Sequence, residues 1–293
     1  MNTSGSCEAI KNLRDRLYGK INIYNELSFK YFLLILMECV ILDAYQIGIV
    51  KKIMPAELYG IEHFTYMGIT ALLASVGLIT AKKFAKTEKA QSIILKSLAI
   101  ALFIAILTNR LSQVFRYETT KWVDIIPESY CGLTSLVLSL AVLFGKKDNN
   151  AYHFLWILGL FGGISTVVYP AFIGQGPTIF YLPTISGLLH HSFSATLVIA
   201  LLLFNQIHIT YKKWYCTLFG FTCYLSLGAF LIGGLGLSDA FHIYTPLLSD
   251  TPLTTWVMAP IYAICYALLL LIIELVRKHT KKKSFVSDVK LEK

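Results

Sequence analysis

Apolar runs of about twenty residues recur along this chain, and that recurrence limits its fold more than any other feature. At 1.5 Å rise per residue, about 20 such residues carry a helix across the hydrocarbon core of a bilayer. In lipid every backbone N–H and C=O must be bonded within the protein, which a helix does by itself. Composition agrees, with 56% apolar and 15% charged residues and a mean hydropathy of +0.62. The expected fold is all-α, a polytopic helical membrane bundle of seven to eight transmembrane helices. Eight spans are expected, at about 31–50, 64–81, 92–108, 126–145, 152–170, 181–204, 214–236 and 255–276. Short linkers make neighbours antiparallel hairpins.

Three regions follow. Residues 1–30 read as an amphipathic N-terminal interfacial segment: Ile10, Leu13, Leu17, Ile21 and Tyr24 recur at helical spacing, with Lys11, Arg14, Arg16 and Lys20 between them. The first 28 residues are too polar for the apolar stretch of a signal peptide. Residues 31–276 form the transmembrane domain, and residues 277–293 a basic cytoplasmic tail.

The net charge of +9 does not call for nucleic acid, because lysines between apolar spans act as orientation signals and contact anionic headgroups. With the N-terminus inside, the cytoplasmic segments hold 20 of the 26 Lys and Arg residues. The outward loops hold Lys51, Lys52, Arg110, Arg116 and Lys121, and Lys96 lies within a span. This asymmetry predicts a multi-pass protein of the cell membrane with both termini cytoplasmic.

The polar residues of the spans then gather in the outward half. His63 opens the second span, Asn109, Arg110 and Gln113 close the third, and Glu128 and Cys131 occupy the first turns of the fourth. The sixth span, Tyr181 to Phe204, carries His190 and His191 about 14 Å from its outer end. An ionisable residue at such depth points to a functional site. Asp239, His242 and Tyr244 lie in the last outward loop. His153, His208 and His279 sit at span edges or in the tail and read as interfacial or solvated groups. Glu38 and Asp43 lie in the first span, where Glu38 is placed to pair with Lys96 or to relay protons.

Two motifs bear chemistry. In IIPESYCGLTS, residues 125–135, Pro127 suits the first turn of a helix. Glu128 and Cys131 then stand three apart on one face, with Ser135 a turn deeper. Cys131 reads either as a core cysteine or as a nucleophile activated by a base. His190 and His191 point about 100° apart on a helix, so one orients while the other acts, or both are structural. The six cysteines form no CxxC pair and show no zinc spacing. Gly159, Gly162, Gly163, Gly234 and Gly236 read as close-packing positions.

From about Ile61 to Val276 the chain resembles the YwaF family of bacterial integral membrane proteins. That family is distantly related to a eukaryotic transmembrane acyltransferase that builds polyunsaturated ether phospholipids. The resemblance rests on the order of GIEHF at 60–64, IIPESYCGLTS at 125–135, LWILGLFGGISTVVYP at 155–170, LLHHSFSATLVI at 188–199 and FHIYTP at 241–246. It implies Cys131 as the catalytic cysteine, His191 as the catalytic histidine and His63 as the family's early histidine. Three positions depart from the pattern: Ser129 stands where a histidine is common, Ala171 where an acid is common, and His190-His191-Ser192 replaces Ser-His-Gly.

The function so implied is a membrane acyltransferase or transacylase acting on phospholipids, its membrane partners. Cys131 would attack the acyl ester and His191 would serve as general base. Glu128, His190 and His63 would orient that histidine or bind a headgroup, as would Tyr244, and Arg110 and Arg116 would hold a lipid phosphate. No metal, cofactor or nucleic acid is expected. The alternative is a small-molecule or lipid transporter or binding protein using the same cavity. A third possibility, a haem or quinone protein, would need His63 and His191 to face each other.

Overall fold

The structure, a computed structural model, describes residues 60–116, 122–170, 173, 176, 178–247 and 251–291, with the side chains at 114–116, 124 and 276–291 left aside. The amphipathic N-terminal segment, the first expected span with Glu38 and Asp43, and the side chain of Arg116 lie outside the described residues.

The described residues form seven α-helices: α1 Ile61–Phe84, α2 Glu88–Arg116, α3 Tyr130–Phe144, α4 Asn150–Val168, α5 Leu182–Leu203, α6 Tyr215–Leu235 and α7 Thr255–Leu291. Short 3₁₀ turns at Trp122–Ile125 and Tyr211–Lys213 lead into α3 and α6. Six of the helices are long and apolar enough to cross a membrane, fewer than the seven to eight expected. Part of the shortfall is α3, which has 15 residues. The expected span 126–145 loses its first turn because Ser129 is the N-cap. Its backbone is extended, and its hydroxyl accepts from the Gly132 N–H at 3.1 Å. Glu128 therefore precedes the helix and does not share a helical face with Cys131, as the spacing had implied.

Helix α5 is the centre of the bundle. In its most apolar stretch 67% of residues are buried, against 0% in α1 and 11% in α7. Its Ser186, Gly187, Ser192, Ser194, Ala195 and Ala200 are small, and small residues let membrane helices approach closely. The closest approach is to α4. A methyl group at Gly163 would lie 2.6 Å from the His191 carbonyl oxygen and 2.9 Å from Ala195 Cβ. Ser194 donates to the Gly159 carbonyl at 3.3 Å one turn away. The outer helices α1 and α7 show the opposite pattern, with Leu72, Leu73, Ile79, Ile264 and Leu268 exposed, as lipid-facing residues must be.

The two ends of the bundle are fastened by polar contacts. At one end Asp148 joins the α3–α4 turn to the segment after α5. Its carboxylate accepts from His153 Nε2 at 2.9 Å and from the His208 N–H at 2.7 Å. At the other end the loop between α6 and α7 folds around Asp239. One carboxylate oxygen accepts from the N–H groups of Ala240, Ile243 and Tyr244, and the other accepts from the N–H and hydroxyl of Thr245. This fold puts Phe241 and His242 in the left-handed region, with φ of 53° and 56°, a conformation that bulky residues adopt only when neighbours hold them there. Phe241 N–H bonds the Glu128 carbonyl at 2.7 Å, and Thr255 N–H bonds that of His242 at 2.8 Å. The buried Phe241 ring packs on Tyr130 and Tyr224, each at 5.5 Å. The loop is thereby tied to the start of α3.

Burial opposes the charge on Asp239, but the bonds from Thr245, Tyr244 and Ala240 outweigh it and hold the carboxyl below its ordinary value near 3.8. A carboxyl so lowered stabilises the loop fully above that ordinary value and loses its hold as pH falls through the lower folded one. Hydrogen exchange of the Tyr244 and Thr245 amides, corrected for intrinsic rate, should show protection lost over that acid range. In Asp239→Asn the same protection should already be weak at neutral pH. Unchanged protection in that variant would show that the carboxylate does not hold the loop.

Candidate functional site

Cys131 occupies the first turn of α3 and lines a cleft of about 420 Å³ formed with α4 and α7. The walls are overwhelmingly apolar, built from Ile157, Leu158 and Phe161 of α4 and from Cys265, Tyr266 and Leu269 of α7. The volume falls within the roughly 300–1,000 Å³ range of small-molecule pockets. Phe161 and Cys265 are exposed beside it, as are the neighbouring Ile264 and Leu268, so the cleft opens onto the apolar outer surface of the bundle.

His190 and His191 are buried at 4% and 5% exposure, their ring centroids 4.1 Å apart. As the helical offset requires, they serve different neighbours. His190 Nδ1 meets the Ser135 hydroxyl of α3 at 3.1 Å. His191 turns to the backbone of Gly162 in α4. Gly162 also adjoins the cysteine, for a methyl group there would lie 3.2 Å from Cys131 Sγ. Thiol and imidazole thus border the same glycine and make no direct hydrogen bond with each other. Ser135, one turn below Cys131, continues the cysteine's face toward His190, as the sequence spacing predicts.

The other candidates take separate places. His63 is buried and donates from Nε2 to the Val167 carbonyl at 2.8 Å, tying α1 to the end of α4. Arg110, with its side chain 13% exposed, donates to the Ile126 carbonyl at 3.1 Å and lies 3.6 Å from Glu128 Oε1. That arrangement pins the approach to α3 onto α2. Tyr244 is 67% exposed on the Asp239 loop and does not line the cleft. Among the described residues no three His, Cys, Asp or Glu side chains gather as a metal site would require.

Two tyrosines escaped the sequence reading. Tyr66 donates to Ser192 Oγ at 2.8 Å, while the Ser192 hydroxyl itself bonds the Leu188 carbonyl. This places a polar link next to His191 in the chain. Tyr262 lines the cleft with Cys131, and its hydroxyl is buried with no hydrogen-bond partner among the described residues. The available signal was the pair Tyr262 and Tyr266, four apart and so on one helical face.

Residues 58–276 match the model of the TMEM164 family. No curated protein and no solved structure matches the chain.

Proposed function

The chain belongs to the TMEM164 family, and on that footing we propose that this multi-pass membrane protein transfers acyl groups between phospholipids through Cys131. One observation carries the reading: the thiol of Cys131 borders an apolar cleft open to the lipid-facing surface, with a buried histidine across Gly162. The resemblance to YwaF proteins, a family distantly related to the ether-phospholipid acyltransferase, supports the same chemistry. Both termini lie on the cytoplasmic side, and the cleft opens in the outer half of the bilayer.

In the first half-reaction the Cys131 sulfur attacks the ester carbonyl of a donor phospholipid. A C–S bond forms, the C–O bond breaks, and the lysophospholipid leaves with a hydroxyl. The proton passes from the thiol to the His191 imidazole and on to the departing oxygen. In the second half-reaction an acceptor hydroxyl attacks the thioester. Its proton goes by way of His191 to the sulfur, and the thiol is restored. For either transfer the imidazole must swing from the Gly162 backbone toward the sulfur; catalytic hydrogen bonds are often long or unformed before substrate binds. Neither a metal nor a redox cofactor takes part in this sequence. His190, bonded to Ser135, fixes the helix turn that aims His191.

The test is an acyl-transfer assay in nanodiscs with a phospholipid donor and an isotopically labelled lysophospholipid acceptor, read by mass spectrometry. Labelled diacyl product that depends on the protein, and falls sharply in His191→Gln, is the expected result. Absence of transfer and hydrolysis across several headgroups would overturn the reading.

A further inference from the structure

Gly159, Gly162 and Gly163 of α4 look alike in sequence as close-packing positions, yet the structure divides them. A methyl group at Gly159 would meet Ser194 Oγ at 2.9 Å and Val198 Cγ2 at 3.1 Å, and one at Gly163 would meet the His191 carbonyl oxygen at 2.6 Å. Helix α5 therefore forbids a side chain at both. Gly162 has no such neighbour on α5. A methyl group there would meet Cys131 Sγ at 3.2 Å and, beyond its chain neighbours and its own helical backbone, no other described atom within 4 Å. Glycine is less stable than alanine in a helix interior, so helix packing does not account for it. The space left by its missing side chain belongs to the cleft.

That space has the dimensions of a reaction site. Reacting atoms in a near-attack geometry stand about 3–3.5 Å apart. A carbon in the place of the missing methyl would stand 3.2 Å from the sulfur. The His191 imidazole bonds the backbone of the same residue, so thiol and base converge on it. We infer that Gly162 is a positioning residue: the space beside it seats the carbonyl carbon of an acyl ester against the Cys131 sulfur. This deepens the acyl-transfer reading and rests on it. The remaining walls fit the acyl chain. Tyr130 and Thr134 spend their hydroxyls on Thr255 and Tyr224, and Tyr266 donates to the His153 carbonyl. What they leave to a ligand is apolar surface, along which Ile157, Leu158, Phe161 and Leu269 continue. An alanine at 162 would fill the carbonyl's place and leave the thiol and these walls intact.

The test uses the full chain in nanodiscs and p-nitrophenyl palmitate. The Cys131 sulfur attacks its carbonyl, a C–S bond forms, the ester C–O bond breaks, p-nitrophenolate leaves and the thiol proton passes to the buffer. Release of p-nitrophenolate gives the rate, and mass spectrometry of the Cys131 peptide locates the acyl group. Gly162→Ala should slow acylation about a hundredfold, as a misplaced reacting group does, with little change in the half-saturating ester concentration. Methyl methanethiosulfonate, a small reagent with no acyl chain to seat, should still label Cys131 at nearly the unaltered rate. The unfolding midpoint should be no lower, because alanine favours a helix. Equal acylation of Gly162→Ala and the unaltered protein would overturn the assignment. So would an equal loss of both reactions, which would show shielding of the thiol, or a lowered midpoint, which would show a packing role. Absence of acylation at Cys131 in the unaltered protein would overturn it as well. Phospholipid transfer that persists in Gly162→Ala would remove this assignment and leave the wider reading standing. Acylation sensitive to Gly162→Ala, without phospholipid transfer, would do the reverse.

Discussion

Gly163→Ala should lower the stability of the bundle by about 3 kcal/mol, near the upper end of ordinary overpacking. The added methyl meets the His191 carbonyl oxygen at 2.6 Å, the Ala195 N at 3.0 Å and the Ala195 Cβ at 2.9 Å. Two of these three atoms are backbone within the most buried helix, and they cannot rotate aside. Relief requires α4 and α5 to separate, and α5 is the helix against which both α2 and α4 pack most extensively. The displaced residue is His191, so transfer activity should fall beyond what lost folding explains. Gly68→Ala is the control, because nothing lies within 4 Å of a methyl there. Thermal unfolding of the two variants beside the unaltered protein tests the packing. Equal midpoints for Gly163→Ala and Gly68→Ala would refute the close α4–α5 contact.

Cys131→Ala should reduce transfer by about a thousandfold or more, as removal of a nucleophile does in enzymes that form covalent intermediates. The fold should survive. Cys131 makes no hydrogen bond with His191, and the substitution removes one sulfur from a cleft wall. The informative comparison is Cys265→Ala, because Cys265 lines the same cleft from α7. It lies beyond the described contacts of His191, so its loss should leave transfer nearly intact. Cys216, buried in α6 away from the cleft, is a second control. If Cys265→Ala abolished transfer and Cys131→Ala did not, the nucleophile would be misassigned.

Several of these features could be read from the sequence for a simple reason. Crossing a bilayer demands continuous apolar length, so the helices α1, α2 and α4 to α7 follow from the runs themselves. His190 and His191 declare themselves because imidazoles are out of place among leucines, and the 100° helical offset correctly separates their neighbours, Ser135 and Gly162. The start of α3 was less legible. Pro127 suggested an opening turn, but the cap is Ser129, and choosing between them depends on the Gly132 N–H that the serine hydroxyl receives. Arg110 is expected from the sequence to hold a lipid phosphate, and Glu128 to orient the histidine or bind a headgroup. Their pairing, and the Ile126 carbonyl that Arg110 also binds, arise from α2 folding back on residues sixteen or more positions away, which no local pattern encodes. Tyr262 was hard to single out for a related reason: beyond its spacing from Tyr266, a tyrosine in an apolar run reads as packing.

The central claim is that acyl groups pass through a thioester on Cys131, and intact-protein mass spectrometry tests it most directly. The protein in nanodiscs would be incubated with a diacyl phospholipid and no acceptor, quenched in acid, and digested to locate any added mass. The account predicts one acyl group on Cys131, removed by hydroxylamine and transferred when a lysophospholipid is supplied. Transfer that proceeds with no adduct on Cys131, or with the acyl group on Cys265, would contradict it.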